Sequence, residues 1–375
     1  MTASLTVSTI DADRHRAFIA GQRSASFLQM PSWAAVKTEW RNESIGWTTP
    51  DGELVGVGLV LYRQLPKVER FLAYLPEGPI IGWDAGDLSR WLDPMVAHLR
   101  GKGAFGVRMG PPVVTRRWDA ATLKKAIADD ALRVLTDVPA DESDADGLAV
   151  VDALGSLGWR EQATEGGFSA GQPKYNFQVP VGDRSEDDVL AGMNQLWRRN
   201  IKKAAKLGVE VRLGGRRDLP DFHRIYAETA DRDGFTPRPL AYFEKMYDAL
   251  TAEDPDRMRL YLAEHEGDLV AATTSVQVGE HAWYSYGAST TAKREVRGSN
   301  AIQWQMMRDA MAAGAAVYDM RGITDTLDPD DPHVGLIQFK VGTGGQAVAY
   351  AGEWDLPISK LLYTAFDTYM RRRRS

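Results

Sequence analysis

The chain has no cysteine. Disulfides, thiolate nucleophiles and cysteine-ligated zinc are excluded together. Histidine is scarce as well. His15, His98, His223, His265, His281 and His333 are scattered without the i, i+4 spacing that sets two ligands on one helical face, so neither a metal site nor a histidine dyad is expected. Long apolar runs are also missing. The longest, Leu54 to Tyr62, falls far short of the ~18 to 20 residues that a membrane span requires, and MTASLTVSTIDADRHR has no signal-peptide apolar segment. A cytoplasmic location is expected. Nor is there an excess of positive charge: a net charge of −6 over 375 residues argues against a surface built throughout for nucleic acid.

What the chain does have is length for two domains, at a prior of roughly 150 residues each. Its positive charge is concentrated. Arg198, Arg199, Lys202, Lys203, Lys206, Arg212, Arg216 and Arg217 lie in one short segment against a single acid, Glu210. Such a patch can hold a few phosphates, and the plainer reading is a solvated helix face. Internal similarity is visible too. Pro50-Asp51-Gly52-Glu53 leads into LVGVGLVLY and Glu266-Gly267-Asp268 into LVAATTSVQV, both reading as β-hairpins. GAFGVRMGPPV from Gly103 and GAAVYDMRGIT from Gly314 each follow a helical apolar pattern, and the two pairs are separated by nearly the same interval. This predicts a tandem duplication of one α/β unit, with a boundary near Gly166 to Pro173, where EGGFSAGQP breaks all periodicity. The acidic stretch Asp137 to Gly147 reads as a surface loop of the first unit. A last helix is expected from Ile358 to Arg374, closing on Arg371 to Arg374; this charge suits a helix C-terminus, or contact with anionic lipid headgroups or tRNA.

The densest local signal is GLIQFKVGTGGQ, Gly335 to Gln346, where Phe339-Lys340 runs into three glycines. Glycines let backbone approach a bound group closely, and a lysine beside them supplies fixed charge. A lysine bridging two sheets or capping a loop is the competing reading. The segment resembles the FK-x-G-x-G-G stretch of the FemABX peptidyltransferases. Further segments follow in the family's order: FLQMPSWAAVKTEW, the basic helix SEDDVLAGMNQLWRRNIKKAAKLGVEVR, the aromatic strand WYSYGAS, and NAIQWQMMRDAMAAGAAVYDMRGI. The resemblance spans most of the chain. No long charged heptad segment stands between Leu207 and Arg257, so a compact member without the helical arm is implied.

The resemblance implies an α/β (α+β) fold of two tandem GNAT-like (acyl-CoA N-acyltransferase) units with mixed, largely antiparallel sheets. The first is placed at 1–170, completed by a C-terminal helix at 353–375, and the second at 171–352. It implies transfer of glycine, alanine or serine from aminoacyl-tRNA to the position-3 side-chain amine of the peptidoglycan precursor stem peptide, as UDP-MurNAc-pentapeptide or lipid II. No cofactor is implied, because amide formation from an aminoacyl ester is downhill and needs chiefly alignment and charge stabilisation. Lys340 and Phe339 are carried over as catalytic, serving the tRNA 3′ end. Lys37, Arg238, Tyr242 and one of Tyr284 and Tyr286 are carried over as precursor-binding, and Arg198, Arg199, Lys202, Lys203 and Lys206 as a tRNA surface. Read from spacing alone, Lys37 shares a helix face with Trp33, Arg238 and Tyr242 share one at i, i+4, and Tyr284 and Tyr286 alternate onto one strand face. In place of an acidic residue that many members carry, this chain has Gly110. The proton then leaves through the substrate, or Asp319 substitutes, unless it simply pairs with a neighbour such as Arg321. Two other classes fit the same fold. An acyl-CoA N-acyltransferase would need a phosphate-binding turn, which REVRGSNAIQW matches poorly, and a non-catalytic precursor- or RNA-binding protein would need no lysine at the site.

Overall fold

The computed structural model describes residues 4–162, 171–331 and 333–374, apart from the side chains of residues 371, 373 and 374. The chain forms two compact units. One comprises Met1–Arg117, Glu142–Lys174 and Ala349–Ser375, the other Trp118–Asp141 and Tyr175–Val348. Gly166 to Ala170 of the expected boundary, and the side chains of Arg371, Arg373 and Arg374, lie outside the described residues.

In the first unit the strands run in the order Thr6–Ile10, Arg41–Thr48, Leu54–Gln64, Phe71–Leu75, Ala104–Met109, Trp354–Pro357 and Arg160–Glu161. Neighbours are antiparallel except Phe71–Leu75 with Ala104–Met109, a parallel pair joined by the crossover helix Leu88–Gly101. The hairpin expected at Pro50 to Glu53 forms, with Thr48 opposite Leu54. Leu88, Leu92, Met95 and Leu99, spaced to share one helix face, are at most 1% exposed and pack on Trp47, Val60, Val107 and Met109. The C-terminal helix Lys360–Arg374 packs Phe366 against Leu65, Leu72 and Phe105.

The second unit repeats the pattern. Its strands run Glu210–Gly214, Met258–His265, Asp268–Val278, His281–Ser289, Val317–Ile323, Tyr175–Pro180 and then the strand that begins at Gln346. The first four are antiparallel, the fourth and fifth parallel across the helix Gly298–Ala312, and the fifth and sixth antiparallel. The Glu266-Gly267 hairpin forms as expected, with His265 opposite Asp268. On one side the helices Leu219–Asp233 and Leu240–Glu253 bury Phe222, Ile225, Tyr226 and Phe243 over Leu260 and Leu262.

Two segments depart from expectation. Trp118–Asp141 belongs to the second unit, not to a continuous 1–170 domain. Trp118 is buried there, donates Nε1–H to Val138 O at 2.9 Å and meets the Tyr175 ring edge-on, while Leu135 N–H donates to Asp325 O at 2.7 Å. The acidic stretch Asp137 to Gly147 is not a loop throughout. Asp141 accepts from Asp119 N–H and Thr122 Oγ, and Asp144 accepts from Gly147 N–H at 2.8 Å, capping the helix Ala145–Ser156.

Candidate active site

Phe339 and Lys340 lie on a helix, Val334–Val341, not within a glycine loop. The glycines that follow serve packing. A Cβ at 342 would fall 2.3 Å from Trp197 Cδ1, and Gly344, at φ +78°, passes so close to Gly192 that a Cβ would sit 2.1 Å from its carbonyl oxygen. Only glycine fits either place. The turn therefore seats Trp197 closely. Trp197 returns the contact: its indole N–H donates to Phe339 O at 2.8 Å and its ring packs on Phe339 at 4.8 Å.

Lys340 is 3% exposed. Its ammonium donates to Gly322 O at 2.7 Å and Arg321 O at 3.3 Å. Burial pulls its pKa down to about 7, against the opposing charge of Asp319 and with the like charge of Arg321. A lysine so tuned changes protonation near neutrality, as proton-handling lysines do. Its direct contacts are two carbonyls of one strand, so it does not bridge two sheets as the competing reading allowed. Asp319, 1% exposed, accepts from Arg321 N–H at 2.6 Å, Gln178 Nε2 at 3.0 Å and His281 Nε2 at 3.1 Å. Burial raises its pKa, but the His281 hydrogen bond and charge, the Arg321 charge and the Gln178 bond outweigh that and hold it below the usual carboxylate value. It is a paired residue, as the simpler expectation had it.

Phe339 borders a polar groove of about 390 Å³ that sequence reasoning missed. Its walls come from Leu196, Trp197 and Asn200 on the helix Gln195–Lys206, from Gln338 and Phe339, and from the start of the helix Gly298–Ala312. Arg297 precedes that helix in the left-handed conformation, φ +66°, and no side chain caps its first turn. Arg294 and Arg297 are exposed and make no ion pair among the described residues, while Lys293 is held by Glu266 and Asp268. Asn300, 6% exposed, also lines the groove, with no side-chain hydrogen bond among the described residues. Open N–H groups, the helix dipole and two unpaired guanidinium groups favour an anion, and Phe339 and Leu196 offer apolar surface beside it. The sequence signal for it is REVRGSNAIQW, a poor match to an acyl-CoA turn whose own turn nonetheless opens a helix.

The basic helix forms as expected, opened by Asn194 accepting from Trp197 N–H at 2.9 Å. Arg198 turns back to donate to Ala191 O and Met193 O, both at 2.8 Å, so it serves as a cap rather than a free cation. Arg199, Lys202, Lys203 and Lys206 are exposed without ion pairs among the described residues.

Arg238, Tyr242 and Tyr286 come together, although Arg238 precedes the helix, which starts at Leu240. The guanidinium lies 4.8 Å over the Tyr242 ring, and Tyr286 Oη donates to Tyr242 Oη at 3.2 Å. Tyr284 does not join them. A register shift opposite Thr274 and Ser275 leaves Ser285 unpaired, which breaks the alternation, and the Tyr284 hydroxyl lies over Gly287 instead. Lys37 sits in the first unit, at the C-terminal cap of the short helix Ser32–Val36 rather than on a helix face, its ammonium 5.7 Å from the Trp33 ring centroid. Gly110 ends the strand Ala104–Met109 and donates its N–H to Leu75 O at 3.2 Å.

A duplicated GNAT-like fold with a polar, arginine-lined groove in its second unit defines the architectural class, and comparison with known proteins narrows it. The sequence model of the FemAB family matches residues 10–267 and 256–371. The chain belongs to the FemAB family. It is similar to the lipid II:glycine glycyltransferases of Staphylococcus haemolyticus, 23% identical over 96% of this chain and 94% of that protein, and of Staphylococcus aureus strain MRSA252, 24% identical over the same shares. Among solved structures, FemX superposes with a TM-score of 0.80 at 22% identity, over 96% of this chain and 99% of that one. A tandem GNAT protein from the clavulanic acid biosynthesis pathway superposes at 0.52 with 9% identity, over 95% of this chain and 99% of that one. The last two establish the fold.

Proposed function

We propose that this chain is an aminoacyl-tRNA-dependent transferase that adds a small amino acid, glycine, alanine or serine, to the position-3 side-chain amine of a peptidoglycan precursor. The coarser activity, aminoacyl transfer in peptidoglycan bridge synthesis, rests on the FemAB family and its glycyltransferase relatives. The observation that carries the donor assignment is the groove beside Phe339. Its aromatic wall suits a terminal base, and its two arginines and uncapped helix start suit the phosphodiester next to it. Arg199, Lys202, Lys203 and Lys206, on the helix that forms one wall, extend positive charge for the rest of the acceptor arm.

In this reading Lys340 carries the transition-state role, its ammonium favouring the developing negative charge, and Phe339 holds the terminal adenosine. Arg238, Tyr242 and Tyr286 take the precursor's diphosphate, with Lys37 as a further precursor contact. The staphylococcal relatives are named for lipid II, which favours the lipid-linked acceptor over UDP-MurNAc-pentapeptide. Among the described residues no helix is long and apolar enough to cross a membrane. We place the chain in the cytoplasm, touching the inner membrane surface through the C-terminal helix, where Leu361 is 80% exposed.

The test is mass spectrometry of soluble and lipid-linked precursors after incubation with separately charged glycyl-, alanyl- and seryl-tRNA, alongside Lys340→Ala. One added amino-acid residue mass, lost in the variant, supports the reading; no mass gain with any donor on either precursor ends it. A second reading, an acyl-CoA N-acyltransferase, draws on the same uncapped helix start, which also suits a diphosphate. Acetyl-CoA binding at micromolar concentration would favour it.

A further inference from the structure

The strand Val317–Ile323 breaks its register with Tyr175–Pro180 between Asp319 and Gly322. In a regular strand successive carbonyls point to opposite sides. Here two successive carbonyls, those of Arg321 and Gly322, converge on one atom, Lys340 Nζ, at 3.3 and 2.7 Å. The convergence depends on Arg321, which adopts φ +62°, a conformation that side-chain-bearing residues avoid.

Asp319 braces the turn that leads into that conformation. One carboxylate oxygen accepts the Arg321 N–H at 2.6 Å, closing a tight turn two residues long. The other accepts from Gln178 at 3.0 Å and His281 at 3.1 Å, and the His281 ring is itself stacked on Trp283 at 4.2 Å. Three donors from three strands thus fix a carboxylate that makes no direct hydrogen bond to Lys340. We infer that Asp319 is a positioning residue for Lys340: it builds the bulge whose paired carbonyls hold the ammonium, and it supplies the buried countercharge. This rests on the reading that Lys340 takes part in transfer.

The charged groups that face Lys340 are Asp319 and Arg321, with His281 behind Asp319. The neighbouring helix Ala120–Ile127 turns Leu123 and Ala126 inward and leaves Lys124 and Lys125 exposed. The helix Gln195–Lys206 presents Trp197 to this region and engages Arg198 on carbonyls. Asp319 is therefore the one carboxylate among the described residues that these elements bring to the ammonium.

The experiment is lysine side-chain NMR on the full chain carrying 13C,15N-lysine, with the Lys340 signal assigned by its loss in Lys340→Met, together with kcat and KM for transfer across pH. Asp319→Asn keeps an acceptor for Arg321 N–H but removes the charge. The Lys340 midpoint is expected about one pH unit lower than in the parent, and the alkaline limb of kcat moves with it while donor KM stays unchanged. Should that variant fold poorly, Asp319→Asn with Arg321→Gly is compared with Arg321→Gly alone, since glycine adopts positive φ without strain. An unchanged Lys340 midpoint in Asp319→Asn, or in the paired comparison, overturns the inference. Absence of transfer by the parent with every donor sinks the functional reading instead, and the NMR midpoint still decides whether Asp319 sets the charge on Lys340.

Discussion

In the first unit the crossover helix Leu88–Gly101 is approached through Asp84 and Asp87; in the second, Gly298–Ala312 is approached through Arg294 and Arg297. The strand frame is the same in both, four antiparallel neighbours followed by one parallel pair. The corners differ in sign. Asp84 accepts from Gly86 N–H at 2.8 Å and Asp87 pairs with Arg90 at 3.0 Å, so the first helix start already has its carboxylates and would repel another anion. Neither crossover helix has a side-chain cap on its own first turn, but beside the second stand two guanidiniums without an ion pair and a buried Asn300 without a side-chain hydrogen bond among the described residues. Copies of one fold thus separate into a closed corner and a receptive one through a few residues in a connection, while the cores stay alike.

The comparison breaks most severely if the second corner is given the first one's charge. If the donor is the aminoacyl-tRNA proposed above, Arg294→Glu with Arg297→Glu is expected to reduce transfer at least a hundredfold, through the KM for that donor, because two attractive charges become repulsive. Steady-state kinetics at two salt concentrations check this, and a shallower salt dependence should accompany the loss. Next in size, Phe339→Ala removes the aromatic wall and should lower kcat/KM about tenfold to a hundredfold, the range for one stacked base, without changing the salt dependence.

Lys340→Met sharpens the contrast by pH. Burial holds the native lysine near 7, below its unfolded value of 10.5, so the parent carries the full cost of a buried charge below about pH 7 and regains stability as pH rises towards 10.5. Denaturant titrations should therefore show the stability of Lys340→Met relative to the parent falling from pH 7 to pH 10. A flat difference would mean the lysine is not perturbed. Smallest of all, Asp84→Ala in the first corner should cost about 0.5–1 kcal/mol of stability, seen as a slightly lower Tm, and leave transfer kinetics as they were.

Much of the frame could be read from residue order. Alternating apolar runs flanking Pro50 to Glu53 and Glu266 to Asp268 made hairpins, because period-2 patterning and turn residues are local signals. Spacing paired Arg238 with Tyr242, and resemblance nominated Phe339 and Tyr286; the structure sets the first two beside Tyr286, and Phe339 at the edge of the groove. The shared face expected of Tyr284 and Tyr286 failed because a bulge, invisible in the alternation of WYSYGAS, turned Tyr284 elsewhere. The glycines after Lys340 suggested a ligand loop, yet they accommodate Trp197 and Gly192, partners about 150 residues away in the chain.

By itself, then, the sequence determined the class of chemistry and the architecture. The absence of cysteine excluded thiolate chemistry, the repeated hairpin and crossover signals required two similar α/β units, and the motif series placed the chain in one family. Only the tertiary structure decided where charge is buried and where it is open. Lys340 became a buried lysine facing two carbonyls, Arg198 a helix cap, and Arg294 and Arg297 the unpaired cations of a groove. The physical reason is that a charged residue's role depends on its burial and on the partners that folding brings to it, and both are set by contacts between segments distant in sequence.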